Sequence, residues 1–129
     1  MNVSPPPSDD WLPYARQDWS RTLLLLREHD PAGAGMHLQQ VVEKYLKGWL
    51  LDRGWPLRKT HEVDRLLSDA VAYDPSLQPF RALCQRLSNY YLVERYPPLS
   101  LQGPSETQIT VDLAEAKQLI GILFPGEQL

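Results

Sequence analysis

The chain has 129 residues, 43% hydrophobic and 22% charged, enough to bury the core of one ordinary domain. Thirteen basic against sixteen acidic residues leave a formal charge of -3, which excludes a strong overall field toward nucleic acid or anionic lipid and leaves such contacts to local basic patches. The single cysteine, Cys84, excludes an intrachain disulfide. No apolar run approaches the ~20 residues of a membrane-spanning helix, and the N-terminus, MNVSPPPSDD, lacks the basic start and apolar centre of a signal peptide. A soluble cytoplasmic protein is expected.

Residues 1–8 read as a flexible Pro/Ser tail, 9–125 as one helical domain and 126–129 as a C-terminal tail. Asp9 and Asp10 can cap a first helix, Pro13 is tolerated in its first turn, and the pattern runs to about His29. Its stripe is Leu12, Ala15, Trp19, Leu23 and Leu26, with charges such as Asp18 and Arg21 mostly off that face. Asp30-Pro31 breaks the chain, and Ala-Gly-Ala-Gly at 32–35 either delays the next helix or lets another backbone come close.

Met36–Leu51 is the longest helical pattern, extending to about Asp52, with Gly54 as a C-terminal stop. Leu38, Val41, Tyr45 and Trp49 form a stripe that Val42, Leu46 and Leu50 widen. A band this broad must be covered on more than one side, which puts the helix at the centre of a small bundle. His37, Gln40, Lys44 and Lys47 make one polar row, Gln39 and Glu43 another.

Thr60 can cap a third helix with Val63, Leu66, Leu67 and Ala70 inward, ended by Tyr73-Asp74-Pro75. A fourth runs from about Leu77 to Val93 on Phe80, Leu83, Cys84, Leu87 and Tyr91, and Pro97-Pro98 stops it. The stretch 96–109 reads as a long loop, of the kind that is functional or mobile. Thr110 then caps a fifth helix carrying Leu113, Ala116, Ile120 and Leu123. With no alternating strand pattern and no repeat, the chain reads as all-α, an antiparallel up-and-down bundle of four to five helices.

No metal motif, glycine-rich phosphate loop or nucleophile elbow occurs, no cofactor is implied, and Cys84 falls on an apolar stripe. Two clusters can carry function. Arg53, Arg58, Lys59, His61 and Arg65 surround one loop; most such charge runs are solvated surface, and the alternative is a phosphate-facing patch. Asn89, Tyr90, Tyr91, Glu94, Arg95 and Tyr96 end the fourth helix, where tyrosines beside an arginine can stack bases and clamp phosphate, or Tyr91 can be core and Arg95 an ion-pair partner. In the second helix, Glu43 and Lys47 are an i,i+4 pair worth about 0.3–0.5 kcal/mol if exposed. His37 beside Gln40 and Lys44 can line a cleft or face solvent.

Three segments carry a family resemblance. QQVVEKYLKGWL at 39–50 resembles the second helix of HEPN domains, KTHEVDRLL at 59–67 the Lys-Thr-His-acidic-Leu segment that follows it, and NYYLVERYP at 89–97 the Tyr-Tyr then Arg-Tyr-Pro near the end of the fourth helix. Order and spacing agree over roughly residues 9–124. The resemblance implies a helical bundle that usually forms a homodimer, in many members encoded beside a minimal nucleotidyltransferase as a toxin–antitoxin pair. In nuclease members, an Arg followed a few residues later by a His cuts RNA without metal. Here the Arg carries over to Arg95, whereas Ser100 stands in the place of the His. Gln102 stands where some members carry a Tyr that the partner enzyme modifies with AMP. A serine hydroxyl has no pKa near neutrality and cannot replace imidazole.

The expectation is therefore a HEPN-domain homodimer that binds nucleotide, RNA or a nucleotidyltransferase partner rather than cutting. Its candidate ligand-binding residues are Arg95, Tyr91, Tyr96, His37, Gln40, Glu43, Lys44, Lys59 and His61, with Arg95 alone carrying any residual catalysis. The rows of the second helix are expected to face the cleft near Arg95. The alternatives are a metal-independent ribonuclease toxin in which His37 or His61 supplies the proton, and a helical scaffold with no ligand.

Overall fold

Where each helix begins depends on a proline, a short polar side chain or a tight turn in the sequence, and the expected starts shift accordingly. A computed structural model describes residues 4–96 and 103–129. Helix α1 spans Leu12–Arg27 behind a 3₁₀ turn at Pro7–Asp10, in place of the single helix expected from Asp9. Ser8 in that turn is buried, and its amide donates to Asp52 Oδ1 at 2.8 Å. Helix α2, Pro31–Leu51, starts at the proline itself rather than after the glycines, because Pro31 is pre-set for the first helical turn and the Asp30 side chain accepts from the Gly33 amide at 3.0 Å. A Cβ on Gly33 would lie 2.4 Å from Asp30 Oδ2, so the cap and the glycine fit only together. Asp30→Ala is expected to cost about 1 kcal/mol of unfolding free energy in a urea titration.

Helix α3, Val63–Tyr73, begins later than a Thr60 cap implies, since Thr60 Oγ1 closes a small turn on the Glu62 amide instead. A second 3₁₀ turn, Pro75–Phe80, takes up the start expected for the fourth helix, so α4 is Arg81–Arg95. Helix α5, Glu106–Leu123, starts earlier than Thr110, because the Ser105 side chain accepts from the Gln108 amide. The stretch expected as a loop over 96–109 thus gives its last residues to α5. Ser100 and Gln102 lie outside the described residues.

The five helices form the expected all-α bundle, with α2 at its centre touching α1, α3, α4 and α5. That placement follows from the breadth of its apolar band: Leu38, Val41, Val42, Tyr45, Leu46 and Leu50 are all fully buried. In α1 the stripe is displaced. Leu23 is exposed, and Asp18 and Thr22 are buried in its stead. The displacement is possible because Asp18 meets the Lys44 ammonium and the His37 ring inside the bundle and Thr22 returns its hydroxyl to the Asp18 carbonyl at 2.8 Å. On α4 it is Tyr90, not Tyr91, that enters the core. Cys84 is buried there, and burial pushes its thiol up to about 12, leaving it inert core.

Candidate functional site

One buried carboxylate organises the region around His61. Glu43 sits one turn from Gln39 and one turn from Lys47, and all three are buried. Glu43 Oε2 accepts from Lys47 Nζ at 3.1 Å, while Oε1 accepts from Gln39 Nε2 at 3.0 Å and from His61 Nδ1 at 3.0 Å. Gln39 Nε2 also donates to the His61 carbonyl at 2.6 Å, so α2 grips both the ring and the backbone of His61. A carboxylate oxygen only accepts, so Nδ1 carries the proton and Nε2 is the nitrogen left to meet a ligand. The His61 side chain is 62% exposed, which keeps that nitrogen accessible.

The His61 ring stacks on Tyr91, with centroids 5.2 Å apart and planes 20° from parallel. Arg95, one helical turn on, holds its guanidinium carbon 5.3 Å from the same ring centroid. Tyr91 and Arg95 share a face of α4 because they are four residues apart. Beside them lies a cavity of about 260 Å³ lined by His61, Glu62, Asp64, Gln85, Ser88, Asn89, Tyr91 and Leu92. This set offers an aromatic platform, a cation and an imidazole with one free nitrogen, which is enough to stack a base, hold a phosphate and move a proton.

The other expected site residues fall elsewhere. His37 Nδ1 lies 3.1 Å from Asp18 Oδ1 and Lys44 bonds to Asp18 Oδ2, so this part of the α2 row serves the α1 contact. Gln40 is half-buried and makes no side-chain hydrogen bond among the described residues. Tyr96 follows α4 and is exposed. The basic loop is not one patch. Arg53 lies 3.5 Å over the Trp49 ring, Arg58 pairs with Asp69 at 3.7 Å and Arg65 with Glu62 at 2.5 Å. Lys59 is exposed and makes no ion pair among the described residues.

Two buried carboxylates escape sequence reading. Asp18 falls off the expected stripe of its helix, and Asp112 gives no signal because it lies between Val111 and Leu113 like any solvated charge. Asp112 accepts from Arg86 at 2.9 Å, Tyr90 at 2.7 Å and Gln108 at 3.0 Å, fastening α4 to α5. A larger cavity, about 510 Å³, lies near this junction, but its cation, Arg86, already faces Asp112 and Glu115. No group of three or more metal-ligating side chains occurs among the described residues, and no described helix is long and apolar enough to cross a membrane.

The HEPN domain family model matches residues 8–123, nearly the whole chain. Among solved structures, that of TT1696 from Thermus thermophilus is similar, with a TM-score of 0.79 and 26% identity over 92% of this chain and 97% of that one. No curated protein matches.

Proposed function

This chain belongs to the HEPN domain family, and on that premise we propose that it is a homodimeric, non-cleaving nucleotide- or RNA-binding protein paired with a minimal nucleotidyltransferase in a toxin–antitoxin-like system. Phosphate is held by Arg95 and a base packs against the stacked His61 and Tyr91 rings. The observation that supports this is the shared ring: Arg95 and His61 both pack on Tyr91, at 5.3 and 5.2 Å. Serine at position 100 in place of the family's histidine argues against the usual cutting site.

Arg95→Ala is expected to weaken binding of a short single-stranded RNA by about 1.5–3 kcal/mol, roughly ten- to a hundredfold, in a fluorescence-anisotropy titration. An unchanged affinity would remove Arg95 from the site. Co-purification with the product of an adjacent nucleotidyltransferase reading frame tests the pairing, and sedimentation equilibrium tests the dimer. If no nucleotide, RNA or partner binds, the scaffold reading stands instead.

The hydrogen bond from His61 to Glu43 favours a second reading, that of a metal-independent ribonuclease. There, His61 Nε2 takes the ribose 2′-hydroxyl proton while that oxygen attacks the neighbouring phosphorus. The 5′-oxygen of the next nucleotide leaves and takes a proton from water, and Arg95 balances the charge gathering on the phosphate oxygens. RNA cleavage in the presence of a chelator, lost in both Arg95→Ala and His61→Ala, would replace the non-cleaving reading with this one.

A further inference from the structure

Resting on the nucleotide-binding reading above, we propose that the cavity beside Tyr91 is a nucleobase pocket selective for guanine. Its volume of about 260 Å³ falls below the ~300–1,000 Å³ of pockets that take drug-sized molecules, so it suits one heterocycle rather than a whole nucleotide. Its walls come from His61 and Glu62 at the end of a loop and from two helices, and the groups that read the ligand, Asp64 in the first turn of α3 and Gln85, Ser88 and Asn89 on α4, are held by those helices.

The unused hydrogen-bonding capacity of those groups selects the ligand. Ser88 donates to Asp64 Oδ1 at 3.0 Å and orients the carboxylate, whereas Oδ2 has no partner among the described residues. The side-chain amides of Gln85 and Asn89 also make no hydrogen bond among the described residues. The other carboxylate, Glu62, is taken up by Arg65 at 2.5 Å. The lining thus offers one oriented, half-used carboxylate beside two amides that can donate. Guanine presents two adjacent N–H donors, on its ring nitrogen and its exocyclic amine, and next to them a carbonyl that accepts. The donors match a carboxylate as a parallel pair, and the carbonyl matches an amide. Adenine and cytosine present one amino group and no adjacent ring N–H. Uracil sets a single N–H between two carbonyls, which repel a carboxylate. The order expected is guanine first, adenine and cytosine next, uracil last, with Tyr91 as an aromatic wall beside any of them.

Isothermal titration of the full chain with GMP, AMP, CMP and UMP tests this. GMP should bind at least about tenfold tighter than UMP, equivalent to ~1.4 kcal/mol. Asp64→Asn should bring the two within about threefold while leaving the Arg95-dependent phosphate contribution in place. Asn89→Ala, at an exposed position, should weaken GMP alone, and its far-ultraviolet circular dichroism should match the parent; it decides the matter if Asp64→Asn unfolds. Four equal affinities that Arg95→Ala abolishes would overturn the guanine pocket and leave the nucleotide-binding reading standing. A GMP preference untouched by either pocket variant would also overturn it. Absence of binding by any of the four would overturn both.

Discussion

Glu43→Ala is expected to lower the free energy of unfolding by about 3–5 kcal/mol, because it leaves the Lys47 ammonium inside the bundle without its counter-ion. Both side chains of the pair are only 7% exposed, so water cannot take the place of the lost carboxylate. Part of the Lys47 charge is still met by the Trp11 ring, 5.6 Å from Nζ, which keeps the loss from being larger. Lys47→Met should cost less, since Glu43 keeps Gln39 and His61 as donors. The double replacement Glu43→Leu with Lys47→Met should recover most of the stability, as apolar substitutes for buried pairs commonly do. Urea unfolding of the parent, Glu43→Leu, Lys47→Met and their double variant gives the coupling energy. A loss below ~1 kcal/mol for Glu43→Ala would mean that the pair behaves as a solvated one. The same variant releases the His61 ring from its hydrogen bond to Glu43, so any function that depends on the imidazole should fall with it even where the fold survives.

Asp112→Ala should be nearly as damaging, by on the order of 3 kcal/mol, summing one orphaned buried hydroxyl and one lost charge-assisted contact. The hydroxyl is that of Tyr90, which donates to Asp112 Oδ2. The charge is that of Arg86, whose side chain is about a third exposed and regains some hydration, which holds the figure below that for a sealed pair. Few other contacts join α4 to α5, so amide hydrogen exchange should rise first in α5. Tyr90 adds a pH dependence. Burial first, and then the Asp112 hydrogen bond, hold its phenol well above the ordinary tyrosine value, and burial does the same for Tyr45. Groups raised in this way contribute stability that is complete below the unfolded value near pH ~10 and is lost as the pH climbs through the folded values. Thermal unfolding between pH 8 and 11 should show that decline, and Asp112→Ala should make its Tyr90 part smaller.

The sequence makes the helices and the centrality of α2 legible because apolar spacing reports burial. It conceals the buried charges because spacing reports only the apolar share of a face. Glu43 and Lys47 look like a solvated i,i+4 pair, and a helix covered on several sides has no solvated face to give them. Asp18 reads as off-stripe for the same reason, and its partners, His37 and Lys44, come from α2, beyond the reach of any local pattern. His61 is visible as a residue of the Lys-Thr-His segment. Its partner lies 18 positions upstream on another helix, and no spacing rule joins a histidine in a loop to that carboxylate. Helix starts shift because capping choices compete at close range. Ser105 and Thr110 can both cap, and the nearer bond from Ser105 to the Gln108 amide takes the helix end.

Gly35 sets how far apart two helices stand. A methyl group there would lie 3.0–3.1 Å from three carbons of Tyr90, so the bare backbone of α2 acts as the spacer against which α4 rests. Tyr90 cannot yield freely, because its far end is tied to Asp112 and through Asp112 to Arg86 and Gln108. A change of one carbon at the centre of the bundle is therefore carried along a single rigid side chain to α5. The two ends of that side chain, one steric and one polar, have to be matched in length, so positions 35, 90 and 112 are free to vary only as a set.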